Sequence, residues 1–149
     1  MPRNKIFIDS SALMAGILSD KGGARALLML SEIGRIDLLV SEQVIVEIER
    51  NIARKAPKLL PFAREMIIRA KITILHDPEL AIVEEYNDWI SHPADLPILV
   101  SAIKADVGFL ATHNSKHFID DPDVAHRCGF LIGTPGDALQ WIRDNLITI

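Results

Sequence analysis

Short unbroken apolar runs recur along the chain, and each gives way to a stretch whose apolar positions return every three or four residues. Ile6-Phe7-Ile8 is the first such run. Its residues favour β-structure and do not alternate with polar ones, as expected for a strand covered on both faces within a parallel sheet. The pattern then turns helical over Ala12 to Leu18, breaks at Lys21-Gly22-Gly23, and resumes from Ala24 to Ile33, with Gly34 as a C-terminal stop. Ile36 to Val40 predicts a second strand. Ser41 suits an N-cap, and Glu42 to Lys55 a long helix with Ile45, Ile48 and Ile52 on one side. Gln43, Glu47, Asn51 and Arg54 form a polar line along that helix at spacings of three and four.

The same alternation continues. Pro57 and Pro61 bracket a break before a helix from Pro61 to Arg69, and Ile72 to Leu75 predicts a third strand, left through the turn His76-Asp77-Pro78. Glu79 to Ile90 reads as a helix ended by Ser91-His92-Pro93. Pro97 fits only the first turn of the next helix, which places Asp95 at that helix's N-terminal end. Val107 to Ala111 is a fourth strand that runs into the polar cluster Thr112 to His117, followed by Phe118. Asp120 to Asp123 reads as an acidic loop, Phe130 to Ile132 as a short fifth strand, and Thr134 as the cap of a helix from Pro135 to Leu146. Strand followed by helix, repeated, predicts right-handed crossovers and an α/β fold with a parallel sheet covered on both faces.

Composition narrows this. With 149 residues and 49% hydrophobic content, the chain is expected to form one domain over residues 1–149 with a substantial core. Only 5% aromatic residues points to aliphatic helix-on-sheet packing. No apolar window is long enough to span a membrane and no signal-peptide core opens the chain, so a cytoplasmic protein is expected. Cys128 is the single cysteine and cannot form an internal disulfide. A net charge of −4 argues against a protein that coats nucleic acid. Its distribution is uneven, however: Arg50, Arg54, Lys55, Lys58, Arg64, Arg69 and Lys71 stand against the lone Glu65 in that stretch. A basic flank beside an acidic centre suits phosphodiester chemistry, although such a run is also the ordinary composition of a solvated helical face.

Candidate chemistry gathers at the ends of the apolar runs. In open α/β sheets ligands bind beyond the carboxyl ends of the strands, so Asp9 is a candidate centre. Asp9 or Ser10 would equally serve as the N-cap of the following helix. Glu47 sits on the polar line of its helix, where a lone glutamate is ordinarily just solvated. Asp95, at a helix N-terminus, is favoured there by the macrodipole whatever its function.

Four stretches carry a resemblance. They are Phe7-Ile8-Asp9-Ser10-Ser11-Ala12-Leu13, Ser41-Glu42-Gln43-Val44-Ile45-Val46-Glu47-Ile48, Asp95-Leu96-Pro97-Ile98-Leu99-Val100-Ser101-Ala102, and Leu110-Ala111-Thr112-His113-Asn114 with Phe118. In this order and spacing the sequence resembles the PIN-domain family of metal-dependent ribonucleases. The resemblance implies a three-layer α/β/α sandwich around a parallel sheet of about five strands. It implies that Asp9, Glu47 and Asp95 bind Mg²⁺ or Mn²⁺, with Asn114 as the fourth catalytic position and Ser11 and Thr112 in supporting hydrogen bonds. It also implies an RNA substrate, the toxin role in a toxin–antitoxin pair, an antitoxin protein as partner, and a homodimer. Within that reading Arg50, Arg54, Lys55 and Lys58 would grip RNA phosphates.

The physical logic agrees, since gathered carboxylates raise one another's pKa unless a cation neutralises them. Asn114 departs from the pattern, because many relatives carry aspartate there. Asparagine offers a carbonyl oxygen without charge, so a second ion should bind more weakly than the first. His92, His113 and His117 show no coherent ligand spacing and read as loop residues. A second class of function is a catalytically weak module that binds RNA or protein. A third, a phosphotransferase with Asp9 as nucleophile, lacks the second aspartate two residues on, where Ser11 stands. Gly22-Gly23 and Gly133-Thr134-Pro135-Gly136 lack the spacing of a phosphate loop.

Overall fold

The computed structural model describes residues 4–118 and 124–145. Five strands pair in parallel throughout: β1 (Lys5–Ile8), β2 (Asp37–Ser41), β3 (Thr73–Leu75), β4 (Phe109–Ala111) and β5 (Leu131–Gly133). Their order across the sheet is β3-β2-β1-β4-β5. The chain builds outward from β1 to β3 and then crosses back to lay β4 on the other side of β1. That reversal opens a crevice beyond the carboxyl ends of β1 and β4, which is where ligands bind in sheets of this kind.

Ile6, Phe7 and Ile8 are all fully buried, as are Leu38, Val40, Leu110 and Ala111. Successive strand residues point to opposite faces, so helices must cover both sides of the central strands, giving the expected α/β sandwich. The covering elements are α1 (Ser10–Leu18), α2 (Gly23–Glu32), α3 (Glu42–Lys55), α4 (Leu60–Arg69), α5 (Leu80–Glu84), α6 (Leu96–Ala105), α7 (Ser115–Phe118), α8 (Val124–Cys128) and α9 (Pro135–Asn145). Single 3₁₀ turns at Pro57–Leu59 and Pro93–Asp95 lead into α4 and α6. Among the described residues no helix is long and apolar enough to cross a membrane. Cys128 is partly buried, and burial pushes its thiol up to about 11 against the lowering effect of Arg127.

Several boundaries differ from expectation for local reasons. The helix expected from Glu79 to Ile90 covers only Leu80–Glu84. Beyond it the amides of Asn87 and Trp89 bond three residues back, to Glu84 and Tyr86, in successive turns. Asn87 and Asp88 are weak helix formers whose side chains compete for backbone groups. β4 starts at Phe109, not Val107, because Asp106 ends α6 in the left-handed region (φ 57°) and turns the chain first. Lys71 (φ 56°) delays β3 in the same way. The helices α7 and α8, of four and five residues, are too short for a periodic signal in the sequence. The acidic loop expected at Asp120 to Asp123 and the helix end expected at Leu146 lie outside the described residues.

Candidate active site

β1 delivers Asp9 into the crevice. Its amide bonds to the Ala111 carbonyl at 3.1 Å, which extends the β1–β4 pairing by one residue before α1 begins. Asp9 is the N-cap of α1, and its Oδ1 accepts the Ala12 amide (3.1 Å) and the Ser11 hydroxyl (2.8 Å). The capping explanation is therefore correct, but it accounts for only one oxygen. Oδ2 accepts the hydroxyl of Thr112, from the end of β4. Asp9 is 4% exposed. Burial raises its carboxyl above the usual 3.8; the three hydrogen bonds oppose this, and the negative charge of Asp95 adds to the rise.

Ser11 and Thr112 strap the loop after β4 to the start of α1. Thr112 Oγ1 accepts the Asn114 amide at 2.9 Å, and Ser11 Oγ accepts the His113 amide at 3.2 Å. The Thr112 amide bonds to the Gly133 carbonyl at 2.8 Å, which ties this loop to β5 as well. Asn114 itself is exposed, and its carbonyl accepts the His117 amide at 2.9 Å as α7 begins.

Glu47 reaches the same place from α3. Ser10 donates its hydroxyl to Oε2 at 3.0 Å, and Gln43 donates to Oε1 at 3.1 Å. Gln43 Nε2 also bonds to the carbonyl of Ala94 at 3.1 Å, next to Asp95. Sequence reasoning does not single out Ser10 or Gln43 as site residues. The one available signal is Gln43 lying four residues before Glu47 on the polar line.

Asp95 closes the Pro93–Asp95 turn ahead of α6 and makes no capping bond with its side chain. Oδ2 lies 3.0 Å from Nδ1 of His117, whose ring stacks on His92 with centroids 4.0 Å apart and planes at 19°. The spacing of these histidines along the chain carries no sign of this grouping, and His117 belongs to α7 where a loop is expected. Asp95 thus acts on Asp9 through its charge, and the Asn114 backbone is linked to Asp9 through Thr112. Glu47 is tied to Ser10, the residue after Asp9, and through Gln43 to Ala94, the residue before Asp95.

Arg50, Arg54, Lys55 and Lys58 are exposed. Arg50 and Arg54 follow Glu47 at three and seven residues, on the same helical face, and Arg54 lies about 10 Å further along the axis. Arg54 donates to Asn51 at 3.2 Å. Arg64, counted in the basic run, is engaged instead by Glu49 through two bonds of 2.8 and 3.0 Å.

A model of the PIN domain matches residues 5–116, well over half of the chain and all four positions above. The chain belongs to the PIN-domain family. Solved structures similar to this PIN domain include VapBC2 from Rickettsia felis bound to a DNA fragment from their promoter. That likeness has 17% identity and a TM-score of 0.66, covering 87% of this chain and 98% of that one. FitAcB from Neisseria gonorrhoeae is similar at 16% identity and a TM-score of 0.62, covering 88% and 98%. VapC20 from Mycobacterium tuberculosis, a Sarcin-Ricin loop cleaving toxin, is similar at 13% identity and a TM-score of 0.57, covering 78% and 95%. At these identities the likeness is one of fold. No curated protein matches the sequence of this PIN domain.

Proposed function

We propose that this PIN domain is a ribonuclease that hydrolyses RNA phosphodiester bonds with Mg²⁺ or Mn²⁺ held by Asp9, Glu47 and Asp95. The observation that carries the reading is the state of Asp9. It is a buried carboxylate, repelled by a second acid, yet fixed by three hydrogen bonds at the point where the sheet order reverses. Such an arrangement costs free energy in the free protein and is relieved by a cation. Carboxylate oxygens suit Mg²⁺ or Mn²⁺. Bound there, the ion supplies activation of water and neutralisation of the phosphoryl oxygens.

The chain's own residues do the rest. Thr112, Ser11 and the Ala12 amide fix the orientation of Asp9, while Ser10 and Gln43 hold Glu47. Arg50, Arg54, Lys55 and Lys58 bind successive phosphates beside the acids. A role as the toxin of a toxin–antitoxin pair, acting in the cytoplasm as a homodimer held in check by an antitoxin protein, belongs to the same reading. It is supported by the fold shared with a toxin that cleaves the Sarcin-Ricin loop.

Asn114, which adds no charge where an aspartate would, favours one competing reading: a module that binds RNA without cleaving it. Cleavage of a mixed single-stranded RNA pool with Mn²⁺, Mg²⁺ or chelator separates the two, using wild type, Asp9→Asn and Asp95→Asn. The nuclease reading expects metal-dependent cleavage that both variants lose. RNA binding without cleavage selects the module.

A further inference from the structure

We propose that His92, Asp95 and His117 form a second metal site, selective for a borderline transition ion, Zn²⁺, beside the carboxylate set. One nitrogen from each imidazole and one oxygen of Asp95 all lie within 4.8 Å of one another. Two nitrogens and an oxygen are a zinc donor set, whereas Mg²⁺ prefers oxygen alone. The site shares Asp95 with the proposed nuclease centre but needs neither Asp9 nor Glu47, so it can hold where that reading fails.

Two of the side chains, His92 and Asp95, flank one turn, and the third comes from α7. Asp95 ends a 3₁₀ turn that starts at Pro93, immediately after His92. His117 is placed by α7, whose first turn bonds to the Asn114 carbonyl and whose last residue, Phe118, is fully buried in the core. The two imidazoles stack at 4.0 Å with planes at 19°, so the His92 ring has to turn out of the stack for its nitrogen and that of His117 to converge on one ion. Zinc bonds of about 2.0–2.1 Å in a tetrahedron set ligand atoms roughly 3.3 Å apart. The His117–Asp95 pair, a hydrogen bond of 3.0 Å that the ion would replace, is already close to that spacing, and a donor nitrogen of His92 lies within 4.8 Å of a donor atom on each. The His117 and Asp95 side chains are 35% and 24% exposed, so an ion can enter and keep water in its remaining positions. Since Asp95 serves both donor sets, Zn²⁺ here draws a carboxylate away from the Mg²⁺ or Mn²⁺ site.

Calorimetric titration of the untagged full chain with Zn²⁺, alongside visible absorption with Co²⁺, tests this. Wild type should bind one Zn²⁺ at this site. Losing even an outer partner of a ligand weakens metal sites about 10–100-fold, so His92→Ala and His117→Ala should each weaken binding by at least about tenfold. Both should lose the intense d–d absorption of four-coordinate Co²⁺. Glu47→Gln should bind Zn²⁺ within about threefold of wild type, and circular dichroism confirms that each variant is folded. Undiminished Zn²⁺ binding in both histidine variants would overturn the proposal. So would its loss in Glu47→Gln, which would assign the ion to the carboxylate set.

Discussion

The hydroxyl of Thr112 donates to Oδ2 of Asp9, joining the ends of β4 and β1 across 103 positions of sequence. The Thr112 hydroxyl also accepts the Asn114 amide at 2.9 Å, so one side chain aligns two of the four family positions. Thr112→Val keeps the shape and removes both bonds. Leaving a buried carboxylate short of a donor costs about 1–3 kcal/mol, and that loss is expected in urea denaturation. Thr112→Ser should recover most of it. Stability equal to wild type in the valine variant would show that the bond contributes nothing.

Asp9→Asn separates capping from charge. Asparagine caps a helix as well as aspartate does, so a residue that only caps would tolerate the change. In the metal-free protein, burial and then the charge of Asp95 hold the Asp9 carboxyl above 3.8, against its hydrogen bonds. Between 3.8 and its raised value the folded chain keeps a proton that the unfolded chain has released. Stability therefore falls as pH rises through that window, by about 1.4 kcal/mol per unit of displacement. The variant should lack this fall and, without metal at pH 7.5, melt above wild type by about 2–4 °C per kcal/mol relieved. Saturating Mn²⁺ should stabilise wild type and narrow the gap. Scanning calorimetry at pH 5 and pH 7.5, with and without the ion, reads all three.

The basic residues divide by their partners. Arg54→Glu with Lys58→Glu should weaken single-stranded RNA binding and flatten its salt dependence by about 1.4 in log–log slope, because two fewer phosphates are neutralised. Metal binding should be unaffected. Arg64→Ala should leave RNA affinity nearly unchanged, since Glu49 already engages that guanidinium at 2.8 Å. Fluorescence anisotropy across a KCl series tests both expectations, and an unaltered slope in the double variant removes these residues from the RNA path.

Asn114 sets the number of ions in the carboxylate set. With three acids in place of four, titration of wild type with Mn²⁺ should find one tight site in the free protein. Asn114→Asp adds a charge at the mouth of α7 and should add a second site. Two tight sites in wild type would mean that Asn114 does not limit the count.

Features with local causes are legible along the chain. An unbroken run at Ile6-Phe7-Ile8 can be buried on both faces only in the middle of a sheet, and all three residues are fully buried. The spacing of Gln43, Glu47, Asn51 and Arg54 defines one helical face, and the Gln43–Glu47 and Asn51–Arg54 bonds lie along it. Asp9 at a strand end and Asp95 before a proline-started helix are legible for the same reason. What these groups meet is a matter of the folded arrangement. Ser10 finds Glu47 across 37 residues, Asp95 finds His117 across 22, and Arg64 finds Glu49 across 15. Periodicity records burial and capping within a few turns of chain. It carries no trace of a contact such as that of Thr112 with Asp9, made only because a crossover set β4 beside β1.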